Sequence, residues 1–123
     1  MKTLDFKINQ GIFVFCKCDV DQVPDDIEPL MQFKEEEGLT IIIEYSQLKP
    51  EMEMEVSTQK FAWITCTTTT KLSETGITRK ISFVLDALGI PCNIVAAFHH
   101  DHIFVPYTMR LKALSALTSL GKG

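Results

Sequence analysis

The sequence predicts an α+β fold, and three observations carry that expectation. The first is a set of short apolar runs rich in β-branched and aromatic residues, at residues 11–17, 39–45 and 61–67, which suit buried strands. The second is the stripe formed by Ile77, Ile81, Val84, Leu85 and Leu88, which marks one face of an amphipathic helix over residues 75–88. The third is the order of elements after residue 60: strand, helix, strand, strand, helix.

That last half is the clearer one. Residues 61–67 read as a strand. The helix that follows has Gly89 where a left-handed C-terminal cap belongs, with Pro91 just beyond. Residues 93–98 form the next strand, His99-His100-Asp101 a tight turn, and residues 102–105 the hairpin partner. Pro106 starts a last helix that carries Leu111, Leu114, Leu117 and Leu120 and ends at Gly121. A helix joining two strands makes a right-handed crossover, so those strands run parallel, and the hairpin adds an antiparallel neighbour. This is a ferredoxin-like βαββαβ unit without its last strand. The first half has strands to spare, and one of them can complete the sheet.

The first half is less regular. Residues 19–37 are acidic and rich in turn formers, with Pro24 and Pro29. Ile27, Leu30 and Met31 have helical spacing and predict one short helix, limited by Pro29. Gly38 and Pro50 punctuate the strand at residues 39–45. Residues 46–59 read as a polar linker with a short irregular element, although their Met/Glu alternation also fits a strand with one wet face. The expected division is an N-terminal module at residues 1–57 and a C-terminal one at 58–123.

The 123 residues suffice for one compact unit or two very small modules. A formal charge of −4, with no basic cluster longer than Arg79-Lys80, argues against a nucleic-acid or anionic-membrane partner. No apolar run approaches the roughly 20 residues that span a bilayer. The first residues, Met1-Lys2-Thr3-Leu4-Asp5, lack the apolar region of a secretory leader. Of Cys16, Cys18, Cys66 and Cys92, three lie in apolar, β-rich segments, as small buried hydrophobes do. Reduced thiols of this kind point to the cytoplasm.

Four stretches add a resemblance: Phe61-Ala62-Trp63-Ile64-Thr65, Thr75-Gly76-Ile77-Thr78, the run from Gly89 to Ala96, and His100-Asp101-His102-Ile103-Phe104-Val105-Pro106. They resemble the C-terminal ACT module of a family of uncharacterised bacterial proteins. Glu35-Glu36-Glu37-Gly38-Leu39-Thr40 is similar to a signature of the N-terminal module in the same proteins. The C-terminal module is also similar to the ACT modules of aspartate kinases and of cytosolic arginine sensors. The resemblance implies two ACT-like modules, often paired in a homodimer, and regulatory binding of an amino acid. It establishes no reaction.

The ligand loop that the resemblance implies is Ser73, Glu74, Thr75, Gly76 and Ile77, with the strand start Asn93-Ile94 opposite it. Elementary chemistry agrees. The start of a helix offers unpaired N–H groups and a partial positive charge for a ligand carboxylate, and Gly76 has no Cβ to block the approach. The ammonium group needs carbonyls or a carboxylate: the strand edge, the Asn93 side-chain oxygen, or Glu74. The plain alternative is a helix capped by Ser73 or Thr75.

Three other clusters carry less. His99, His100 and His102 hold every histidine of the chain, but neighbours on a hairpin point to opposite faces, so a polar turn is expected and no metal. The four cysteines lack zinc-knuckle spacing and read as core. Glu35, Glu36 and Glu37 read as a solvated run, with a carboxylate for a ligand ammonium as the other reading. The expected function is a ligand-binding regulatory module that needs no cofactor, has no catalytic residues and acts on another, unidentified chain. The competing readings are a ligand-free protein–protein interaction module and a small enzyme.

Overall fold

The computed structural model describes residues 3–122, so Met1 and Lys2, the start of the stretch read above for a leader, lie outside the described residues. In chain order the strands are β1 (Phe6–Ile8), β2 (Phe13–Cys18), β3 (Met31–Glu35), β4 (Gly38–Glu44), β5 (Glu55–Val56), β6 (Phe61–Cys66), β7 (Asn93–Ala96) and β8 (Asp101–Pro106). The helices are α1 (Ile77–Ala87) and α2 (Arg110–Lys122). Single 3-10 turns occupy Val20–Gln22, Tyr45–Gln47 and Tyr107–Met109.

The chain forms two compact units, one from Gly11–Lys60 and one from the residues up to Gln10 together with those from Phe61 onward. Compared with the expected modules at 1–57 and 58–123, the chain changes unit at Lys60–Phe61 and also at Gln10–Gly11. The cause is β1. It pairs antiparallel with β6, setting Phe6 opposite Cys66 and Ile8 opposite Ile64, and so provides the last strand of the βαββαβ sheet. An unpaired flank of β6 would leave a row of free backbone groups, which β1 satisfies.

In this second unit β8 pairs antiparallel with both β6 and β7, which gives the order β1-β6-β8-β7. Strands β6 and β7 therefore run parallel, with β8 between them. Ile64, Ile103 and Ile94 lie in register across three strands and face the core with Ala62, Cys66 and Val105. Ile81 and Leu85 of α1 and Ala113 and Leu117 of α2 complete that core from the helical side. Gly89 ends α1 at φ +68, its N–H bonding Asp86 O, while the Ile90 N–H reaches back to Leu85 O and its side chain enters the core. Pro106 closes β8, and the last helix begins only after the turn at Tyr107–Met109 and runs one residue past Gly121.

In the Gly11–Lys60 unit β4 pairs with β2 and β3, and β5 pairs with β2 on the side away from β4, for the order β3-β4-β2-β5. Val14, Cys16, Cys18, Leu39, Ile41 and Ile43 form its core, joined by Ile27. The short helix expected from Ile27, Leu30 and Met31 does not form. Pro24 and Pro29 remove two N–H donors from that stretch, and Met31 instead starts β3, an edge strand the sequence reading missed along with β1 and β5. The polar stretch 46–59 contains the turn at Tyr45–Gln47 and, at its end, β5.

Candidate functional site

Helix α1 starts differently from either cap considered above. Gly76 is the N-cap residue, at φ +88, and no side chain caps the helix. Ser73 and Thr75 are solvent-exposed. The Lys80 N–H bonds Gly76 O and closes the first turn. The N–H groups before it project from the helix start without intrahelical partners, as in any α-helix. Nothing lies within 4 Å of the place where a Cβ on Gly76 would sit, so glycine is required there by the backbone rather than by crowding.

A cavity of about 120 Å³ opens at this helix start. Gly76, Ile77 and Thr78 form one wall, Thr70, Lys71, Leu72 and Glu74 another, and Ala96, Ala97 and Asp101 the third. Of the seven expected site residues it includes Glu74, Gly76 and Ile77. The Glu74 carboxylate accepts the Lys71 N–H at 2.8 Å and thereby shapes the loop. Asn93 and Ile94 do not line the cavity. Asn93 pairs with Phe104 and shares its sheet face with Trp63, the face turned away from the helices, while Ile94 is part of the core. Side chains on a strand alternate, so the strand start cannot present both.

Asp101 is the residue the sequence reading passed over, having assigned it to a turn. It begins β8 opposite Ala96, and two steps on from it Ile103 and Val105 fill the core. The same alternation aims Asp101 at the helical side of the sheet, where it is only 6% exposed. Its Oδ2 accepts a long hydrogen bond of 3.4 Å from the Thr70 hydroxyl, itself buried. A carboxylate so deeply buried needs a cation or strong donors, and one long bond is thin compensation. The cavity thus has a partial positive charge at the helix start and a buried carboxyl group on the facing strand.

The remaining candidates lie elsewhere. His99 stacks edge-on against Phe98, and His102 points to the sheet face opposite to Asp101. There His102 Nδ1 accepts the Trp63 Nε1–H at 3.0 Å, Thr65 Oγ1 lies 3.1 Å from the same nitrogen, and the Asn9 amide donates to Thr65 Oγ1 at 2.9 Å. Among the described residues no three His, Cys, Asp or Glu side chains come close enough to hold a metal ion. Cys16, Cys18 and Cys66 are buried and all four thiols are free; burial raises the Cys16 thiol to about 11. Glu35, Glu36 and Glu37 are exposed, and only Glu37 lines a second cavity, of about 290 Å³, with Lys17, Asp19, Glu53 and Glu55 in the Gly11–Lys60 unit.

The ACT-domain family matches residues 1–49 and, separately, residues 56–119. The chain belongs to the ACT-domain family. A Vibrio cholerae protein of unknown function, described as a possible transport protein, is 32% identical, with a TM-score of 0.80 over 94% of this chain and 88% of that one. An Agrobacterium tumefaciens protein is 17% identical, with a TM-score of 0.79 over 98% and 91% of the two chains. The regulatory subunit of aspartate kinase from Thermus flavus shares the fold at 13% identity, with a TM-score of 0.68 over 97% and 99%. No curated protein matches. ACT domains are regulatory rather than catalytic modules, and the chain falls in that general class of ligand-binding regulators. No described helix is long and apolar enough to cross a membrane.

Proposed function

We propose that this ACT-domain chain is an amino-acid sensor whose ligand sits in the cavity at the start of α1. The observation that carries the reading is the buried Asp101 carboxylate facing a helix N-terminus across a small cavity. The two charges of an amino acid find complements there. Its carboxylate takes the free N–H groups after Gly76, and its ammonium takes Asp101 in place of the Asn93 oxygen expected from sequence. Ser73, Thr75, Asn93 and Ile94 then serve the loop and the sheet, while Glu74, Gly76 and Ile77 stay with the ligand. At about 30 Å³ per water molecule, the cavity has room for a few waters or for the polar head of the ligand, whose side chain extends outward.

The signal passes to another protein, and the chain acts as a homodimer in the cytoplasm, where its four free thiols stay reduced. The test is a thermal-shift screen against the amino acids. A ligand at 100 times its Kd stabilises the fold by about 2.7 kcal/mol. One amino acid is expected to raise the melting temperature of the wild type, and Asp101→Asn is expected to abolish that rise while remaining folded. A screen without any shift, or an undiminished shift in Asp101→Asn, overturns the reading.

A further inference from the structure

Cys16 and Cys18 stand two residues apart on β2, and strand alternation turns both to one sheet face. That face is the core side of the Gly11–Lys60 unit, and both thiols are buried there. Met52 and Met54 pack against the same cluster. The pairing of β2 with β5 sets Cys16 opposite Val56 and Lys17 opposite Glu55; carried one residue on, it brings Met54 opposite Cys18. Cys18 and Met54 also line the cavity of about 290 Å³ together, so a thiol and a thioether share one route to solvent. Exposed Asp19, Glu37, Glu53 and Glu55 surround that route against Lys17 alone. The whole unit has twelve Asp and Glu but only four Lys and Arg, so the field at this cavity draws cations.

We propose that Cys16, Cys18 and Met54 form a three-sulfur site for one cuprous ion. The donor set selects the metal. Thiolate and thioether are soft ligands and suit Cu(I). Structural zinc takes four nitrogen or sulfur ligands, and among the described residues no third His, Cys, Asp or Glu joins the two thiols. Magnesium and calcium need converging oxygens, so the acidic residues at the cavity attract the ion without ligating it. On binding, each thiol releases its proton to solvent and a Cu–S bond replaces the S–H bond, while Met54 donates a lone pair and no proton. Two thiolates and one monovalent cation leave a single negative charge, which Lys17 at the cavity answers. Without the ion, the protonated thiols pack as small apolar side chains, so the same residues also serve as core. The site lies in the smaller unit and does not depend on the ligand reading at α1.

Anaerobic titration of the full chain with cuprous ion, buffered by the chelator bicinchoninate, tests it. The wild type is expected to take up one ion per chain, to release two protons at neutral pH and to melt at a higher temperature when loaded. X-ray absorption at the copper edge is expected to show three sulfur neighbours. Cys16→Ala and Cys18→Ala are each expected to lose the ion at chelator concentrations where the wild type keeps it. Met54→Leu keeps the apolar volume, and is expected to lose one sulfur neighbour and to hold the ion more weakly. Cys92 is half-buried in the other unit, so Cys92→Ala is expected to bind as the wild type does. Melting of the metal-free variants verifies that each is folded, and the absorption measurement on the wild type needs no variant. A wild type that takes up no copper, oxygen or nitrogen neighbours in place of sulfur, uptake unchanged in any of the three site variants, or uptake lost with Cys92→Ala overturns the proposal.

Discussion

Both units build a four-stranded antiparallel sheet around two central neighbours: β6 and β8, flanked by β1 and β7, in one, and β2 and β4, flanked by β5 and β3, in the other. What joins the strands differs. Residues 67–92 connect β6 to β7 and contain α1; residues 19–30 connect β2 to β3 and contain one 3-10 turn followed by Pro24 and Pro29. After β8 one unit continues into α2, and after β4 the other continues into the turn at Tyr45–Gln47. Sheet topology therefore survives the loss of both helices, but the helix-start cavity does not. The corresponding side of the smaller unit has Lys17 among Asp19, Glu37, Glu53 and Glu55, with no helix dipole to attract an anion. The amino-acid site proposed above therefore belongs to the helix-bearing unit.

If burial rather than helix content sets stability, the deepest side chains of both units should matter alike. Leu85 in α1 and Ile43 in β4 are both fully buried. Leu85→Ala and Ile43→Ala are each expected to cost about 2–5 kcal/mol in urea unfolding, the range for emptying a large aliphatic site. A cost below about 1 kcal/mol for Ile43→Ala would mean that the smaller sheet lacks a tight core, and the comparison would fail.

The glycines divide the units next. Gly38 at φ +149 would place a Cβ 3.0 Å from the Cys18 carbonyl oxygen, whereas Gly76 at φ +88 would meet nothing within 4 Å. Gly38→Ala combines backbone strain with a clash against main chain. It should cost near the top of the roughly 1–3 kcal/mol range for strained positions. Gly76→Ala carries conformational strain alone, about 1–2 kcal/mol, and should lower ligand affinity beyond its effect on stability. Thermal melts of the two variants check the order, and a costlier Gly76→Ala would reverse the assignment of strain.

The helix-bearing unit was legible because its signals were redundant. Periodicity marked α1, Gly89 and Pro91 marked its end, an apolar run marked β6, and the turn before residue 102 marked β8 as a hairpin partner. The smaller unit offered no such redundancy. β3 is an exposed edge strand of sequence Met-Gln-Phe-Lys-Glu, and β5 has only two residues, so neither buries enough apolar surface to shape its sequence. Spacing near Ile27 imitated a helix because that residue is buried while its neighbours are not. At the cavity the loop was legible through Gly76, but the charge opposite it was not. The missing signal was parity: Ile103 and Val105 face the core, so Asp101 must face the same way, and Asn93, out of step with Ile94, cannot.

The smallest effect has the most direct readout, because His102 bonds the chain's one tryptophan. An indole N–H can only donate, so the accepting Nδ1 must carry a lone pair and the proton of the neutral ring must lie on Nε2. Protonating Nδ1 would set two donors against each other. Burial lowers the His102 pKa below its ordinary 6.5, His100 pushes the same way, and Asp101 opposes them. The folded state thus favours the neutral ring, while the unfolded chain takes up its proton near pH 6.5. Stability from this site is complete above about pH 6.5 and is lost as the pH falls through that value toward the folded pKa. The smaller unit has no histidine, so this dependence belongs to the helix-bearing unit alone. On acidification, the melting temperature of the wild type is expected to fall more steeply than that of His102→Gln, a difference in which the common carboxylate effects cancel. Trp63 emission should change with a midpoint below 6.5. Emission that stays constant from about pH 7 to 5, or a steeper fall in His102→Gln, would show that the indole–imidazole bond does not set the protonation of this ring.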